Sequence, residues 1–420
     1  MQDTTLYEAV LGLESPWKVV DVRLKSDEQK VEVEVATEQR RLPCPLCGDP
    51  SPQYDTRYRR WRHLDTCQFE TELCAKVPRV KCSKHGVKLV RVPWADAQSK
   101  FTALFEARVL RWLQEASLSA VAGLFGLSWT AVDGIQRRAV RRGIKRRAFE
   151  QGRSLPKRLG IDETSFQKRH EYVTVICDQE EGHVVHVADG RKSEVVEEYL
   201  ESFEEAERAS VQTVAMDMWQ GYISAVERWI PDAETKICFD KFHIAQHLGR
   251  AVDRVRREEH RALQATGISA LKGTRYTWLW NSANLSQRRI AEMVSLKKVA
   301  TKTSRAWAIK EAGMDPWRYR SRHWARLSLK KWYGWAIRSR LEPMKKVART
   351  VKNHLEGIVN AIHHGVTNAR SEGINSRIQW IKYTARGFRN RDRFRNAIYF
   401  HLGGLDMTPE VLKPIRLHTR

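Results

Sequence analysis

Hydrophobic and polar positions along this chain change their period several times, and each change predicts a different kind of element. Up to about residue 95, apolar residues alternate with polar ones in short segments such as KVEVEVATE and QFETELCAKVPRV. Alternation with a period of two predicts half-buried strands. From about residue 100 to 148 the apolar positions recur every three or four residues, as at Phe105, Val109 and Leu113. That spacing predicts amphipathic helices.

Strands and helices alternate between about residues 155 and 260. RLGIDETSF, EYVTVICDQ and HVVHVAD predict three successive strands, and EVVEEYLESF predicts an amphipathic helix. VQTVAMDM, GYISAVERW and TKICFD then predict a strand, a helix and a strand, before a long helix from about Ile244. This is the element order of a ribonuclease-H-like core. In that core the first and fourth strands lie side by side, which would bring Asp162 close to Asp217.

A basic helical pattern interrupts the alternation between about residues 261 and 355. Seven of the chain's fifteen tryptophans lie in it: Trp278, Trp280, Trp307, Trp317, Trp324, Trp332 and Trp335. Aromatic residues at helical spacing usually pack in a core, whereas aromatics interleaved with Arg and Lys can stack on unpaired bases. We expect most of the seven in the core of a helical insertion, and one or two in contact with DNA.

The sequence NARSEGINSRIQWIKYTARGFRN, residues 368 to 390, predicts a helix capped by Thr367 or Asn368. At about 100° per residue, one face is apolar and would pack on the sheet: Ile374, Ile378, Ile381 and Ala385. The opposite face is polar: Glu372, Asn375, Ser376, Gln379, Tyr383 and Arg386. Glu372 is the only acidic residue of the stretch. Interaction with the helix dipole would explain it, and so would a metal ligand beside a DNA strand.

Charge narrows the choice of partner. The 420 residues favour two or three domains, and their formal net charge is +24 at pH 7. Such a balance favours a polyanion, since basic side chains placed on phosphates release condensed counterions. The sequence lacks a run of about 18 apolar residues that would span a bilayer, and its N-terminus does not resemble a secretory signal. Seven cysteines, an odd number, do not suggest a disulfide framework. We therefore expect a cytoplasmic protein.

Two short motifs predict a metal site in the first hundred residues. CPLCG and CSKHG each place two ligands around a tight turn, followed by a glycine that tolerates the backbone conformation needed there. The four ligands that would close a structural zinc site are Cys44, Cys47, Cys82 and His85. Burial of the cysteines as small hydrophobic residues is the alternative. His63, Cys67 and Cys74 lack a comparable turn, and we expect them not to bind the ion.

The segment SLSAVAGLFGLSWTAVDGIQRRAVRRGIKRR has the layout of a helix-turn-helix, in which Gly126 permits the turn and Ser128 caps the second helix. The second helix of such a motif enters the major groove of DNA. We expect these side chains to face the groove or the DNA backbone: Trp129, Thr130, Asp133, Gln136, Arg137 and Arg138. An ordinary helical hairpin with a solvated basic end is the alternative, but the net charge favours DNA.

Carboxylates on neighbouring strands match the chemistry of phosphodiester cleavage. Two Mg²⁺ ions about 4 Å apart can activate the attacking oxygen and stabilise the leaving oxygen, and Mg²⁺ takes carboxylate oxygens as ligands. Asp162 and Asp217 jointly predict such a site, although each alone would be explained as a turn residue. Asp240 is the rival for the second position. We favour Asp217 because the strand before Asp240 would lie one strand further from Asp162, and His243 is then an auxiliary residue.

Six segments, in order along the chain, resemble the ISL-three family of zinc-ribbon, helix-turn-helix DDE transposases of bacterial insertion sequences: CPLCG, SLSAVAGLFGLSWTAV, LGIDETSF, MDMWQGYISAV, CFDKFHI and NARSEGINSRIQWIKYTARGFRN. The resemblance implies Mg²⁺-dependent DNA cleavage and strand transfer, and binding to the terminal inverted repeats of the element. It also implies a catalytic triad of Asp162, Asp217 and Glu372. Asp240 with His243 is similar to the Asp-x-x-His signature of some related families.

We accordingly expect a multidomain α+β protein, whose ribonuclease-H-like catalytic core is interrupted by an all-helical insertion. The expected domains are 1–95, a zinc-binding ribbon; 96–150, the helix-turn-helix; 151–260, the first part of the core; 261–355, the insertion; and 356–420, the last part of the core with the Glu372 helix. Arg377 and Arg386 on that helix would bring phosphate to the metal. A homodimer or higher oligomer on double-stranded DNA, in the bacterial cytoplasm at the nucleoid, completes the expectation.

Two other classes of function fit parts of the sequence. A domesticated, non-catalytic DNA-binding protein would retain the ribbon, the helix-turn-helix and the charge, but would not need the acidic triad. A ribonuclease-H-like nuclease or resolvase would need the same carboxylates, but the two N-terminal DNA-binding modules would be hard to explain.

Overall fold

The computed structural model describes residues 3–150, 152, 154–167, 171–366 and 369–412. The predicted cap residues Thr367 and Asn368 lie outside the described residues. The chain forms two compact units, the first from Met1–Gly152 with Leu405–Arg420 and the second from Arg153–Gly404.

Within the described ranges, no single helix is long and apolar enough to cross a membrane. One bent pair, Leu118–Leu124 with Trp129–Glu150, meets that test by length and composition only.

The first unit contains a six-stranded sheet. After helix α1 (Asp3–Leu11) its strands are β1 (Trp17–Lys25), β2 (Lys30–Thr37), β3 (Arg41–Pro43), β4 (Pro50–Arg62), β5 (Glu70–Cys82) and β6 (Gly86–Leu89). The sheet order is β1-β2-β5-β4-β3, and β6 pairs with β5. Strands β4 and β5 are antiparallel, whereas β2 and β5 are parallel. The valines that alternate with charged residues in β2 are buried in the core of this sheet, so the predicted strand period is confirmed.

Three helices follow: α2 (Ala103–Glu115), α3 (Leu118–Leu124) and α4 (Trp129–Glu150). Gly126 has a positive φ of 61° in the turn between α3 and α4, a conformation that glycine adopts without strain. Ser128 Oγ accepts a hydrogen bond from Ala131 N at 3.2 Å, which caps α4 as predicted. Helices α3 and α4 are bent by 115° relative to each other. The predicted helix-turn-helix is therefore present.

Residues 405–412 pack with the first unit, which differs from the predicted assignment of 356–420 to the core. Arg142 Nη2 donates to the carbonyl oxygen of Met407 at 2.8 Å, and Arg146 Nη2 donates to that of Thr408 at 3.0 Å. A Cβ at Gly143 would lie 2.8 Å from Leu405 Cβ, so glycine allows the chain to approach α4. These contacts join segments more than 250 positions apart, which no periodicity in the sequence could predict.

The second unit is built on a five-stranded sheet: β7 (Arg158–Gln167), β8 (Glu171–Asp178), β9 (Val184–Asp189), β10 (Thr213–Met216) and β11 (Ile237–Phe239). The sheet order is β11-β10-β7-β8-β9. Strands β7, β8 and β9 pair antiparallel, while β10 is parallel to both β7 and β11. The first and fourth strands of this sheet are neighbours, as the ribonuclease-H-like order predicted.

The helices of this unit are α5 (Ser193–Glu201), α6 (Glu205–Ser210), α7 (Gln220–Trp229), α8 (Ala233–Lys236), α9 (Lys241–Gln264), α10 (Arg275–Leu279), α11 (Gln287–Val299), α12 (Thr301–Met314), α13 (Arg322–Ile337), α14 (Glu342–Asn353), α15 (Leu355–His364), α16 (Ala369–Thr384) and α17 (Arg391–Leu402). Helix α9 begins at Lys241, a few residues before the predicted Ile244, because Asp240 caps it by accepting a hydrogen bond from Phe242 N at 3.0 Å.

Helices α16 and α17 cover part of the sheet. Ile374, Ile378 and Ile381 of α16 are buried in one cluster with residues of β7, β8, β9 and α17. The predicted apolar face is therefore confirmed, except that α16 ends at Thr384, one residue before Ala385. Glu372, on the polar face of α16, is exposed.

The tryptophans of the insertion divide between core and surface. Trp278 and Trp332 are buried in the main hydrophobic core of this unit, and Trp307 and Trp317 pack against it. The exposed members are Trp280, Trp324 and Trp335, with exposed fractions between 41% and 55%. The expectation that most of the seven would be core is confirmed by these four, and the expected contact of one or two with DNA stays a prediction.

Candidate active site and nucleic-acid interface

The four predicted zinc ligands come together between the β3–β4 connection and the β5–β6 hairpin. The ligand atoms of Cys44, Cys47, Cys82 and His85 all lie within 4.8 Å of one another. Cys47 Sγ is 3.7 Å from Cys82 Sγ, and His85 Nδ1 is 3.6 Å from Cys82 Sγ. Tetrahedral zinc with Zn–S bonds of about 2.3 Å places its ligand atoms roughly 3.8 Å apart. The donor set and its spacing therefore fit one structural zinc ion.

Local backbone geometry explains why these two turns gather ligands. Gly48 and Gly86, which follow the two motifs, have positive φ angles of 78° and 68°, and glycine adopts such angles at little cost. Hydrogen bonds from the backbone N–H groups of Lys84 and His85 lower the pKa of the Cys82 thiol to about 6. The thiolate is the form that binds zinc.

The other cysteines and histidine of this region have different surroundings. His63 is buried with Nδ1 2.8 Å from Thr102 Oγ1, and burial lowers its pKa to about 4. Cys74 is buried in β5, and Cys67 is exposed. None of the three belongs to the metal-ligand cluster found among the described residues.

Strand register sets three aspartates in a row across the second sheet. Ala215 of β10 is paired with Gly160 of β7, and Met216 is paired with Phe239 of β11. Continuing both registers by one or two residues sets Asp217 opposite Asp162 on one side and Asp240 on the other. Asp217 and Asp240 directly follow β10 and β11, whereas Asp162 lies within β7. Asp240 is one strand further from Asp162, as the sequence predicted.

Asp162 lies where an anion is disfavoured. Burial raises the pKa of Asp162 to about 6, and the carboxylates of Asp217 and Asp240 act in the same direction. A hydrogen bond from Glu163 N to Asp162 Oδ1, at 2.8 Å, and the nearby His243 oppose this rise in pKa. His243 is thus close enough to Asp162 to act on its charge.

Asp217 and Asp240 have different local roles. Asp217 Oδ1 accepts a hydrogen bond from Trp219 N at 3.0 Å, in the turn before α7, and its side chain is partly exposed. Asp240 is 6% exposed and caps α9. Asp240 therefore has a structural reason to be acidic or amide-bearing, whereas Asp217 presents a carboxylate beside Asp162.

Helix α16 runs along β7 and carries Glu372 in its first turn. Its side chains bond to the strand in step: Asn375 Nδ2 to Asp162 Oδ2 at 2.7 Å, Gln379 Nε2 to Thr164 Oγ1 at 3.1 Å, and Lys382 Nζ to Ser165 O at 2.7 Å. Glu372 precedes Asn375 by nearly one turn, is exposed, and forms no hydrogen bond or ion pair with the other residues that the structure describes. In the described ranges, the carboxylates of Asp162, Asp217 and Glu372 do not form a group as tight as the cysteine and histidine cluster.

Gly160 allows the start of α16 to approach β7 closely. A Cβ at Gly160 would lie 2.9 Å from Ser371 Oγ and 2.7 Å from Cys177 Sγ. Ser371 is 2% exposed and accepts a hydrogen bond from Gln179 Nε2 at 2.5 Å. The nearest atom to that Cβ would be Gln179 Nε2, so a larger residue at this position would displace the side chains of Gln179, Cys177 and Ser371.

Sequence reasoning missed two groups beside the aspartates. Asn375 was assigned only to a polar helix face, although it contacts Asp162 directly. The Arg191 guanidinium lies 5.1 Å from the ring centroids of both Tyr172 and Trp219, and Trp219 Nε1 donates to the Arg191 carbonyl at 3.3 Å. No spacing signal connects these residues. For Asn375, its position one turn beyond Glu372 on the same helix face could have served as a signal.

Helix α4 carries the predicted DNA-contacting residues, with corrections. Thr130 and Arg137 are exposed, and Trp129 is partly exposed. Gln136 and Asp133, by contrast, are 3% and 6% exposed, so neither presents a free side chain to a groove in this structure. The physical reason is helical spacing, because both fall on the side of α4 that also holds its buried valines.

The basic run of α4 separates into two stripes. One stripe, with a spacing of four residues, makes internal ion pairs: Arg138 with Glu106, Arg142 with Asp96, and Arg146 with Asp406. Arg137, Arg141 and Lys145 are exposed. Glu106 is 1% exposed, and a buried carboxylate without a partner would be strongly destabilising. Arg138, predicted to contact DNA, therefore serves the interior of this unit.

The predicted basic residues near Glu372 lie at the surface. Arg377 is exposed, and its Nη2 donates to the carbonyl of His401 at 3.4 Å. Arg386 is exposed in the turn after α16, with a positive φ of 54°. Trp380 and Tyr383 of the same helix are 49% and 85% exposed. Helix α16 thus presents basic and aromatic side chains together, a combination suited to a nucleic-acid strand.

A zinc-binding ribbon, a helix-turn-helix and a ribonuclease-H-like core with aligned carboxylates define a DNA transposase. Family models match these parts in the same order. The zinc-finger of transposase IS204/IS1001/IS1096/IS1165 matches residues 40–85, the helix-turn-helix domain of transposase family ISL3 matches 90–140, and the ISL3 transposase model matches 159–398. Because the last match covers more than half of the chain, the chain belongs to the ISL3 family of transposases.

Two named relatives are similar over most of their length. The transposase for insertion sequence element IS1557 of Mycobacterium tuberculosis is 28% identical over 421 residues, which cover 93% of this chain and 93% of the relative. The transposase for insertion sequence element IS1001 of Bordetella parapertussis is 27% identical over 356 residues, 84% of this chain and 86% of the relative. The chain is therefore an insertion-sequence transposase, an enzyme that cleaves and transfers DNA, with a DNA-binding helix-turn-helix domain and a structural zinc site.

Proposed function

We propose that this transposase catalyses Mg²⁺-dependent DNA strand cleavage and strand transfer at the terminal inverted repeats of an insertion sequence. Asp162, Asp217 and Glu372 are the carboxylates assigned to the metal. The observation that carries this assignment is the strand register that aligns Asp217 with Asp162, beside a helix that bonds to Asp162 nearly one turn after Glu372.

The residues present suit magnesium. Carboxylate oxygens are the hard donors that Mg²⁺ prefers. Desolvation together with two neighbouring carboxylates disfavours the Asp162 anion, and a bound divalent cation would favour it. Glu372, exposed and without a partner among the described residues, is available as a further ligand. When bound, two Mg²⁺ ions supply activation of the attacking oxygen and stabilisation of the leaving oxygen.

Other side chains near the carboxylates position α9, stabilise charge or bind phosphate. Asp240 keeps the N-terminus of α9 in place through its cap, and His243, in the first turn of α9, is an auxiliary residue that stabilises the charge on Asp162. Arg377 and Arg386 supply positive charge beside the Glu372 helix, which would hold the phosphate backbone.

The helix-turn-helix is assigned to the terminal repeats. Thr130 and Arg137 are exposed at the N-terminal part of α4, the part of a recognition helix that contacts base edges, and Trp129 lies at its start. We assign the structural zinc to Cys44, Cys47, Cys82 and His85. Because an element has two ends, we also propose a homodimer or higher oligomer on DNA, acting in the bacterial cytoplasm at the nucleoid.

Cleavage of a labelled element end in the presence of Mg²⁺ tests the catalytic assignment. Asp162→Asn, Asp217→Asn and Glu372→Gln should each abolish cleavage while leaving end binding intact. Each substitution replaces a carboxylate by an uncharged carboxamide of nearly the same shape. Full activity in any one of these variants removes that residue from the triad.

The DNA-binding assignment is tested by salt dependence. Arg137→Ala and Arg141→Ala should weaken binding to an element end and reduce the slope of log affinity against log salt by about 1 each, since each exposed arginine would neutralise one phosphate. The matched variant Glu115→Gln, at the exposed end of α2, controls for a change of surface charge elsewhere in the same unit. An affinity that does not respond to salt contradicts the proposal.

A further inference from the structure

Asn375 is the uncharged residue that the structure places directly against Asp162. Its Nδ2 donates to Asp162 Oδ2 at 2.7 Å. Its Oδ1 is buried and has no hydrogen-bond partner among the described groups. A buried amide oxygen without a hydrogen-bond partner destabilises the folded protein, so this oxygen is unfavourable unless it binds a further group.

The next polar residues of α16 do not share this feature. Gln379, on the same helix face, donates from Nε2 to Thr164 Oγ1 at 3.1 Å, but its side chain is exposed and its oxygen can reach water. Both side chains tie α16 to β7 in the same manner. Of these two side chains, Asn375 combines a hydrogen bond to a carboxylate with a buried oxygen that has no partner among the described groups. Gln379 bonds to the hydroxyl of Thr164 instead.

Asparagine suits this position chemically. Its amide both donates and accepts, so one side chain can hold the Asp162 carboxylate and still present an oxygen to a cation. A carboxylate at 375 would add a further negative charge beside Asp162, Asp217 and Asp240, and a lysine would place a positive charge where the cation is expected. Asn375 also follows Glu372 by three positions, so its hydrogen bond to Asp162 attaches the first turn of α16, which carries Glu372, to β7.

We propose that Asn375 has two roles in the magnesium site: it positions the Asp162 carboxylate and it contributes an oxygen of its own. Nδ2 fixes the orientation of the Asp162 carboxylate, and Oδ1 supplies one further hard oxygen to the same cation or to its hydration shell. This inference rests on the proposed function, because it requires that Asp162 holds the metal.

Mn²⁺ binding to the full-length, zinc-loaded protein tests the proposal without a cleavage assay. Mn²⁺ alone is titrated by calorimetry against the wild type, Asp162→Asn, Asn375→Ala and Gln379→Ala. Residues that orient a metal ligand are worth about 10–100-fold in metal affinity, so Asn375→Ala should weaken Mn²⁺ binding by that factor. Asp162→Asn should abolish binding, and Gln379→Ala, which loses a similar bond to the same strand, should leave it unchanged.

Each possible outcome decides a specific point. If Asn375→Ala binds Mn²⁺ as tightly as the wild type while Asp162→Asn does not bind, the role of Asn375 is disproved and the proposed function stands. If Gln379→Ala weakens binding as much as Asn375→Ala, general loosening of α16 explains both, and the specific role is disproved. If Asp162→Asn still binds fully, the metal is not held at Asp162 and the proposed function fails as well.

Folding of the variants is checked separately. Alanine is the best helix former, so Asn375→Ala should retain α16, and circular dichroism with thermal unfolding verifies this. Zinc content and affinity for an element end should equal those of the wild type, because neither depends on Asp162, Asp217 or Asp240. An Asn375→Ala protein that loses Mn²⁺ affinity together with zinc or end binding shows general unfolding and disproves the specific role.

Discussion

The cysteine and histidine cluster and the row of aspartates are built in opposite ways. The cluster takes its ligands from two short turns of one sheet, and its ligand atoms lie within 4.8 Å of one another. The three aspartates come from β7 and from the residues that follow β10 and β11, and Glu372 comes from α16; these elements are far apart in the sequence. Glu372, the third proposed magnesium ligand, is exposed. A site that supports the fold closes around its ion, whereas a site that must accept substrate keeps positions open.

Electrostatics shows the same difference. Backbone N–H groups lower the pKa of Cys82 to about 6, which favours its charged form at neutral pH. Burial and neighbouring carboxylates raise the pKa of Asp162 to about 6, which disfavours its charged form. One of the four zinc ligands, Cys82, therefore favours its charged form before zinc binds, whereas the neighbouring Cys47 has its pKa raised to about 11. The Asp162 carboxylate is disfavoured in the metal-free protein. Removing the two sites should change stability with opposite sign.

The largest effect is expected from Cys82→Ser. Loss of one thiolate ligand should release the zinc and lower the unfolding free energy of the first unit by several kcal/mol, because structural zinc binding is coupled to folding. Elemental analysis and thermal unfolding measure both quantities. Cys67→Ser, an exposed cysteine outside the cluster, is the control and should retain zinc and stability. A zinc-free wild type would contradict the structural role of the site.

A smaller but still large effect is expected on cleavage rather than on stability. Asp162→Asn should abolish Mg²⁺-dependent cleavage, a larger loss than the roughly 10–100-fold typical of residues that only support a metal ligand. Zinc content and element-end binding should not change. A gel assay with a labelled element end measures cleavage. Loss of zinc in this variant would show that the two sites are not independent.

A third experiment decides whether Asp217 or Asp240 is the second magnesium ligand of the catalytic site. Asparagine caps a helix about as well as aspartate does, so Asp240→Asn keeps the cap on α9 and removes only the charge. Asp217→Asn should abolish cleavage, whereas Asp240→Asn should lower it by less than about tenfold, as expected for a residue that acts on the metal site from its periphery. Cleavage rates at equal Mg²⁺ concentration decide this. The reverse result would make Asp240 the second ligand.

An effect of opposite sign to that of Cys82→Ser is expected on the stability of the protein without magnesium. The folded state binds the Asp162 proton more tightly than the unfolded chain does, since its pKa is raised from 3.8 to about 6. Wild-type stability should therefore fall as the pH rises through this interval, and the loss should persist at neutral pH. At about 1.4 kcal/mol for each pKa unit, Asp162→Asn should gain up to about 3 kcal/mol there.

Denaturant unfolding of the wild type and Asp162→Asn, near neutral pH and near pH 4, measures this gain. The buffer should lack both magnesium and chelators, so that the zinc site stays loaded. The two proteins should differ near neutral pH and converge near pH 4, where the wild-type carboxyl is protonated in the folded state. An equal difference at both pH values would show that the gain does not come from the charge of Asp162.

Local patterns in the sequence were sufficient for the elements and for the zinc site. The valine alternation of β2, the cap at Ser128 and the two glycine-terminated turns each depend on a few neighbouring residues, because backbone conformation is set by short-range sterics and hydrogen bonding. The order of strands and helices then sufficed to predict that β7 and β10 are neighbours, and with them Asp162 and Asp217.

Pairings between distant segments were decided only by the tertiary structure. Arg138 pairs with Glu106, and Met407 lies against α4, where its carbonyl accepts a hydrogen bond from Arg142; a helical period could reveal neither contact. The contact between Asn375 and Asp162 is of the same kind. The sequence determined which side chains each element carries, but the partner of a side chain depends on which surface packs against it. The burial of Asp162, the charges around it and its raised pKa therefore depend on the packing of the sheet and α16, which the sequence alone did not reveal.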